Sequence, residues 1–477
     1  MTTATARLAR RSTRRLEKST YGRPSAAGLT WLVLFLLVGF SFLPRVRGNI
    51  RMSVASWSAT SLLALGFLAI RYRAAKDGRS LTYEVVAKKA HYIQLLMQMC
   101  IYLYWGYYWR EVYRFAPMIL VQVIFAYGLE MIFCWSRRDR FPLGLASVPL
   151  VLSTNFFLWF RDDYFVLQFL MIGVAVAGKE FITWRRDERR SHVFNPSAFA
   201  LCLFSIGLLV TGSTRLTRGA EIAFTLAYPP HIYLAIFLVG LVVQALFSVT
   251  LVTLSAISTL CAMNVAYTSL TGAHQFVDSN IPVLVFLGAH LLVTDPATSP
   301  KTTAGKIAFG GLYGVSVFVL RSLLAVLGLP TFYDKLLGVP ALNASVRALD
   351  RFGSSVTARL QRLLSDRIYR LLFANYTHMA LWGLLFGAML FRGFLHEAQG
   401  DRNPDALKAE CFEKHGNACV EWVRALDVQC EYRKARACLI LGNVLREGRI
   451  VPPDPWSAQQ LFRRACELDQ GCIQRAP

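Results

Sequence analysis

The sequence predicts an all-α fold: a polytopic membrane helical bundle followed by a small C-terminal α-helical repeat domain. Three observations carry this. The 477 residues are 55% hydrophobic, 13% aromatic and 17% charged, a balance outside that of soluble domains. Apolar runs of about 20 residues, the length that crosses a bilayer as a helix, recur between residues 28 and 394. After residue 400 the composition turns abruptly polar, charged and cysteine-rich.

Seven basic residues precede the first apolar run: Arg7, Arg10, Arg11, Arg14, Arg15, Lys18 and Arg23. With no apolar periodicity among them, 1–27 reads as a disordered cytoplasmic tail held near anionic lipid. No small-residue cleavage site follows a short apolar core, so the first run is expected to be a retained helix rather than a signal peptide. Candidate spans fall at 28–43, 54–71, 91–109, 115–135, 143–160, 164–184, 194–212, 231–247, 249–268, 281–294, 306–326 and 377–394. The first two, within 28–90, precede a main membrane domain, 91–350. A basic segment and a last span occupy 351–400. The run from His231 to Tyr267 has almost no polar break, and reads as two tightly joined helices or one long tilted one.

Basic clusters at Arg71/Arg73/Lys76/Arg79, Arg137/Arg138/Arg140 and Arg185/Arg186/Arg189/Arg190 each follow an even-numbered span. All three therefore share the side of the N-terminus, which the positive-inside rule makes cytoplasmic. The same rule accounts for the net charge of +23. The Lys and Arg sit at helix ends and not in one stripe, so no nucleic-acid partner is expected. A further basic segment, Arg347, Arg351, Arg359, Arg362, Arg367 and Arg370, should also be cytoplasmic, so the final span should exit outward. Twelve simple crossings would instead return the chain inside. The conflict requires either a half-helix counted as a crossing or a span that hydropathy misses.

Residues 401–477 form the separate domain. It holds six of the ten cysteines: Cys411 and Cys419 stand eight apart, Cys430 and Cys438 eight apart, Cys466 and Cys472 six apart. The stretch "ACLILGNVLREGRIVPPDPWSAQQLFRRACELDQGC" reads as a helix ending at Gly448, a Pro/Asp loop, and a second helix with Ala458, Leu461, Phe462 and Ala465. Such a unit must stack to bury its face. On these residues the region resembles the Sel1-like repeat, in its cysteine-rich variety. The resemblance implies disulfides between the end of one repeat and the start of the next, and a concave surface that binds a protein. Zinc, which favours C-x2-C or His/Cys spacing, and reduced core thiols are the other readings. Disulfides imply an oxidising compartment, which would put this domain outside the cytoplasmic membrane. Cys100, Cys134, Cys202 and Cys261 lie in spans and read as small core residues.

Two stretches are polar where hydropathy argues against it. In "GVAVAGKEFITWRRDERRSHVFNPSAFAL", 173–201, Lys179 and Glu180 close an apolar run and Asn195-Pro196 opens the next as a capped start. Lys179 is placed to snorkel to the interface. In "LLVTDPATSPKTTAGKIAFGG", 291–311, Asp295-Pro296 supplies a turn, and Thr302/Thr303 cap a helix from near Gly305. Hydroxyls, N–H groups at a helix start and Lys301 or Lys306 are also what binds a phosphate. Glu130 is a further ionisable group inside an apolar run. His290 and His378 lack a C-x-x-C-H haem motif, and no Walker A, triad, metal or iron–sulfur spacing occurs.

Together, "AGKEF…H.FNPSAFAL" and the later "TDPATSP.TTAGKIAFGGLYGVSVFVLR" resemble the NqrB/RnfD family over 91–350. These are the membrane flavin subunits of the Na+-translocating NADH:quinone reductase and of the Rnf electron-transport complex. The matching residues are Gly178, Lys179, His192, Phe194, Asn195, Pro196, Thr294, Asp295, Pro296, Thr298, Pro300, Gly305, Gly310, Gly314 and Arg321. The resemblance implies a bundle of two similar halves with broken helices, set in a bacterial cytoplasmic membrane. It also implies FMN carried through a phosphoester bond on the last residue of a Ser/Thr-x-x-Thr pattern. Ser299-Pro300-Lys301-Thr302 offers Thr302, and Thr298, Ser299, Lys301, Asp295, Lys179 and Asn195 would surround the cofactor. The family's small Gly-Ala pair is replaced by Pro300-Lys301. That departure leaves covalent flavin at Thr302, and noncovalent flavin with Lys301 on its phosphate, as alternatives. The functional expectation is a membrane-embedded, flavin-binding electron-transfer subunit that works with other redox-complex subunits and docks an extracytoplasmic protein through its repeat domain. The alternative is a transporter or channel on the same fold that has lost the flavin.

Overall fold

The computed structural model describes residues 26–186, 189–227, 229–272, 275–276, 281–363, 365, 368, 371, 373–395, 404–414, 417–431 and 434–469. The basic tail up to residue 25, the linker 396–403, Arg367, Arg370 and Cys472 lie outside them.

The chain is mostly helical. It opens with α1 (Ala26–Ser41), a short α2 (Pro44–Arg47) and α3 (Ile50–Lys76), whose first N–H groups are capped by the Asn49 side chain. α4 (Lys89–Tyr108) and α5 (Glu111–Trp135) follow, then α6 (Ser147–Asn155) and α7 (Phe165–Phe181). Next come α8 (Pro196–Val210), capped by Asn195 with Pro196 at its first position, and the short α9 (Gly219–Thr225). The second half runs α10 (Ile232–Phe247), α11 (Thr250–Thr271), α12 (Val283–Leu291) and α13 (Thr303–Val326). It continues through α14 (Asp334–Leu337), α15 (Val339–Leu363) and α16 (Asn375–Phe391). Two short strand pairs interrupt the helices: β1 (Thr82–Val85) parallel to β2 (Arg140–Leu143), and the hairpin of β3 (Thr183–Arg186) with β4 (Arg189–His192).

Every candidate span contains a helix, but in two of them the helix is short. α6 and α12 have nine residues each, about half the length a bilayer needs. After α6 the chain goes on as the wholly buried Phe156–Phe160, which bridges to Thr217. The apolar run from His231 is two helices, broken at Ser248. Ser248 and His231 both take the left-handed conformation, φ 55 and 56°, which residues other than glycine adopt rarely.

Polar contacts sort the helix ends into two sets. At one end Arg137 and Arg138 meet Glu180, Arg186 meets Asp350, and Lys306 reaches the Ser248 carbonyl. This is the basic end. At the other end Arg45 meets Glu111 and Asp162, Arg161 meets Glu221, and Tyr233 reaches the Ile281 carbonyl. α14 and the first half of α15 link the two ends: Thr331 stands at the far end, while Asn343 and Asp350 reach the basic end. Hydropathy misses this passage because α14 carries Asp334-Lys335 and α15 is polar and basic. Counting α1, α3, α4, α5, α6 with 156–161, α7, α8, α10, α11, α12 with 292–302, α13, α14–α15 and α16 gives thirteen traverses among the described residues.

The traverses share one core from Ala26 to Leu395. Outside it lies a belt of exposed large apolar side chains, such as Phe35 at 74%, Leu68 at 64% and Val326 at 85%. A monomer in water rarely carries such a surface. Five stretches are long and apolar enough to cross a membrane: Ile50–Lys76, Glu111–Trp135, Asp162–Phe181, Thr250–Thr271 and Thr303–Val326.

The C-terminal region has a core of its own. Its helices are α17 (Pro404–Lys414), α18 (Asn417–Glu431), α19 (Ala435–Glu447) and α20 (Pro455–Leu468). Gly448 ends α19 at φ +67°, and the Phe462 ring lies where a Cβ on Gly442 would sit. Disulfides Cys411–Cys419 and Cys430–Cys438 join the end of one helix to the start of the next. Cys466 is also disulfide-bonded. The region rests on the bundle where Thr331 donates to Asp454, the N-cap of α20, at 3.1 Å.

Candidate functional site

The two polar stretches meet at the basic end. The β3–β4 hairpin holds Arg186 and His192 against the loop between α12 and α13. His192 Nε2 lies 2.9 Å from Asp295 Oδ2. Asp295 also accepts from the Ala297 N–H at 3.0 Å and the Thr298 hydroxyl at 3.1 Å. The Asn195 amide donates to the Leu292 carbonyl at 3.0 Å, while its oxygen caps α8. Asn343 of α15 accepts from the Asn195 N–H and donates to the Thr298 carbonyl. Ser299 turns its hydroxyl to the Val293 and Asp295 carbonyls, 2.8 Å each. Thr298 and Ser299 are thus buried inside the turn that they stabilise, at 0% and 2% exposure.

Thr302 lies where the loop becomes α13. Its hydroxyl accepts from the Gly305 N–H at 3.2 Å, as the N-cap of α13. The N–H groups of Lys301 and Thr302 converge, and such convergent amides at a helix start form an anion cradle. In this chain the anion is internal. Asp350 Oδ1 accepts from Lys301 N at 2.7 Å, Thr302 N at 3.0 Å and the Thr302 hydroxyl at 3.2 Å. Its other oxygen pairs with Arg186 at 2.8 Å, and Arg186 also donates to the Ala297 and Ser299 carbonyls. α15 lies directly on the cap: a Cβ on Gly353 would be 2.0 Å from Thr302 Oγ1. The Lys301 side chain is exposed. A phosphate of FMN does not fit at Thr302 in this arrangement. Asp350 takes the amides that would hold it.

Lys179 is turned elsewhere. Its ammonium lies 2.6 Å from Glu130 Oε1, and Ser147, the first residue of α6, donates to the other Glu130 oxygen. The pair satisfies both charges near the bundle end, the arrangement expected of ionisable groups in an apolar bundle. His290 lies in α12, buried among Phe286 and Trp382.

Of the sequence-derived site, Asp295, Thr298, Ser299, Lys301, Thr302 and Asn195 come together, and Lys179 forms a separate pair. Asp350, Arg186, Asn343 and Gly353 were missing from it. Arg186 reads as one more charge in a basic run. Asn343, Asp350 and Gly353 are spaced by seven and three on α15, one helical face; that spacing was the available signal. Comparison of the chain with protein-family models, with curated proteins and with solved structures gives no match.

Proposed function

We propose that this chain is a membrane protein on the NqrB/RnfD plan that has lost the flavin and works as a transporter or channel. One observation carries the choice: the Asp350 carboxylate fills the amide cradle at Thr302, the position of the family's phosphoester. The plan itself is supported by the joining of the two motif stretches through His192–Asp295 and Asn195–Leu292. It is also supported by chain order. α4 to α8 and α10 to α15 each run helix, helix, broken helix, helix, return, and they start from opposite ends of the bundle. That is the signature of inverted repeats in transporters, whose sites lie at the broken helices.

The positive-inside rule puts the basic end in the cytoplasm. Thirteen traverses then leave the C-terminal domain outside, where disulfides persist. This removes the conflict of an even count. The Sel1-like domain, on this reading, docks an extracytoplasmic protein.

The second reading is the flavin-binding electron-transfer subunit of a redox complex. The convergence of the motif stretches favours it, and it requires Asp350 to leave the loop. Purification after co-expression with a flavin transferase separates the two. Absence of flavin absorbance and of in-gel flavin fluorescence, with solute flux in liposomes lacking any redox partner, is expected. Stoichiometric flavin in an impermeable protein would overturn the proposal.

A further inference from the structure

The middle of the bundle holds more unpaired polar atoms than a dry interior tolerates. A gap of about 10 Å³ between α4, α10 and α12 is lined by Gln94, Gln98, Gly240 and His290, space for about one water. His290 is 3% exposed. Its Nδ1 lies 2.7 Å from the Phe286 carbonyl and so carries the proton, leaving a bare lone pair on Nε2, which has no partner. Its ring occupies the place of a side chain on Gly240, where a Cβ would lie 2.2 Å from His290 Cδ2. Gln98, 1% exposed, donates to Ser153 at 2.7 Å, and its Oε1 has no partner. Two unpartnered acceptors thus belong to residues that line one gap, and a hydrogen-bond donor is what they lack.

The pattern continues toward the basic end. Gln244 Oε1, Thr250 Oγ1 and Asn375 Oδ1 are buried without partners, as is Trp382 Nε1 beside His290. Each such group costs about 1–3 kcal/mol if left dry. Six of them would consume a stability that totals about 5–15 kcal/mol. Toward the far end the space closes: Phe237 stacks on Phe386 at 4.0 Å, with Phe286 and Trp382 against them.

We propose that these groups form an internal water site, a short hydrated file that runs from the basic end past Gln244 to Gln98 and His290 and is stopped there by the aromatic block. It rests on the membrane-bundle part of the reading above, and it gives that reading a place for a path at the broken helix α12. It does not depend on the loss of flavin, so flavin found on the same sample would overturn the transport reading alone.

Water beside a side chain reveals itself by radiolysis. The full-length protein in lipid nanodiscs is exposed to short X-ray pulses, and hydroxyl-radical oxidation is read residue by residue. The controls are Trp105 and Trp159, both 0% exposed like Trp382, but with their indole N–H groups bonded to Thr225 and to the Asn155 carbonyl. His290 and Trp382 should oxidise about an order of magnitude faster than these controls, once intrinsic reactivities are normalised, because bound waters generate the radical in place. Equal protection of His290, Trp382 and the two controls overturns the site.

Discussion

Replacing Asp350 by Ala tests the internal anion directly. The substitution removes the acceptor of two N–H bonds, from Lys301 at 2.7 Å and Thr302 at 3.0 Å, and the partner of Arg186 at 2.8 Å. Hydrogen bonds to a charged group contribute about 1.5 kcal/mol each at the low end. The Arg186 arm adds less, about 1 kcal/mol or under, because both side chains keep some exposure, 13% and 22%, and Arg186 retains its two carbonyl partners. A loss of about 3–4 kcal/mol is expected, and about half of it for Asp350→Asn, which keeps an acceptor without the charge. The assay is thermal unfolding in nanodiscs, with inorganic phosphate as the second variable. Phosphate should stabilise Asp350→Ala and not the wild type, by about 2.7 kcal/mol at a hundredfold excess over its dissociation constant. Unchanged stability of the Ala variant, or equal stabilisation of both proteins by phosphate, would refute the assignment of Asp350 as the anion.

Three further outcomes are expected. Gly353→Ala puts a methyl group 2.0 Å from Thr302 Oγ1, a hydroxyl fixed by its own cap, so unfolding in nanodiscs should show a loss of about 1–3 kcal/mol. Asp295→Ala removes the acceptor of the Ala297 N–H and the Thr298 hydroxyl and the partner of His192, so melts in nanodiscs should show a loss of about 2–3 kcal/mol. Cys430→Ser opens a ring of eight-residue separation worth about 2.5 kcal/mol. Proteolysis should then cut the C-terminal domain faster while the bundle keeps its pattern.

Much of the bundle is legible in the sequence because burial in lipid enforces apolar length, and five stretches carry that length in full. What stays hidden is where the chain crosses without a long apolar helix. α6 and α12 hide inside longer apolar runs, since Phe156–Phe160 and 292–293 are as apolar as any helix. α14–α15 hides for the opposite reason. Asp334, 1% exposed, is paired with its neighbour Lys335 at 3.0 Å and with Arg321 of α13 at 3.8 Å, so charges that hydropathy counts against burial are neutralised by each other. The site follows the same division. Caps at Asn195 and Thr302 are local, and their residue types announce them. Asp350 acts on a loop 48 residues away, and such a contact leaves only a periodicity on α15.

On the proposed plan, Lys301 and Asp350 are two parts of one change. A cofactor joined to Thr302 would approach the backbone of residues 300 and 301, where a small pair leaves it room. Pro300 fixes its own φ, and the N–H groups of Lys301 and Thr302 both reach one carboxylate oxygen. With the amides covered from α15, nothing needs to approach them, and a long side chain is accommodated at 301 because the residue is exposed. Restoring Gly-Ala at 300–301 should therefore leave Thr302 unlabelled while Asp350 and the α15 contact remain. Adding Asp350→Ala should free the amides and allow a co-expressed flavin transferase to label Thr302, read as in-gel fluorescence lost on Thr302→Val. Labelling of the Gly-Ala variant with Asp350 intact would show that residues 300–301 alone exclude the flavin and that the carboxylate is incidental.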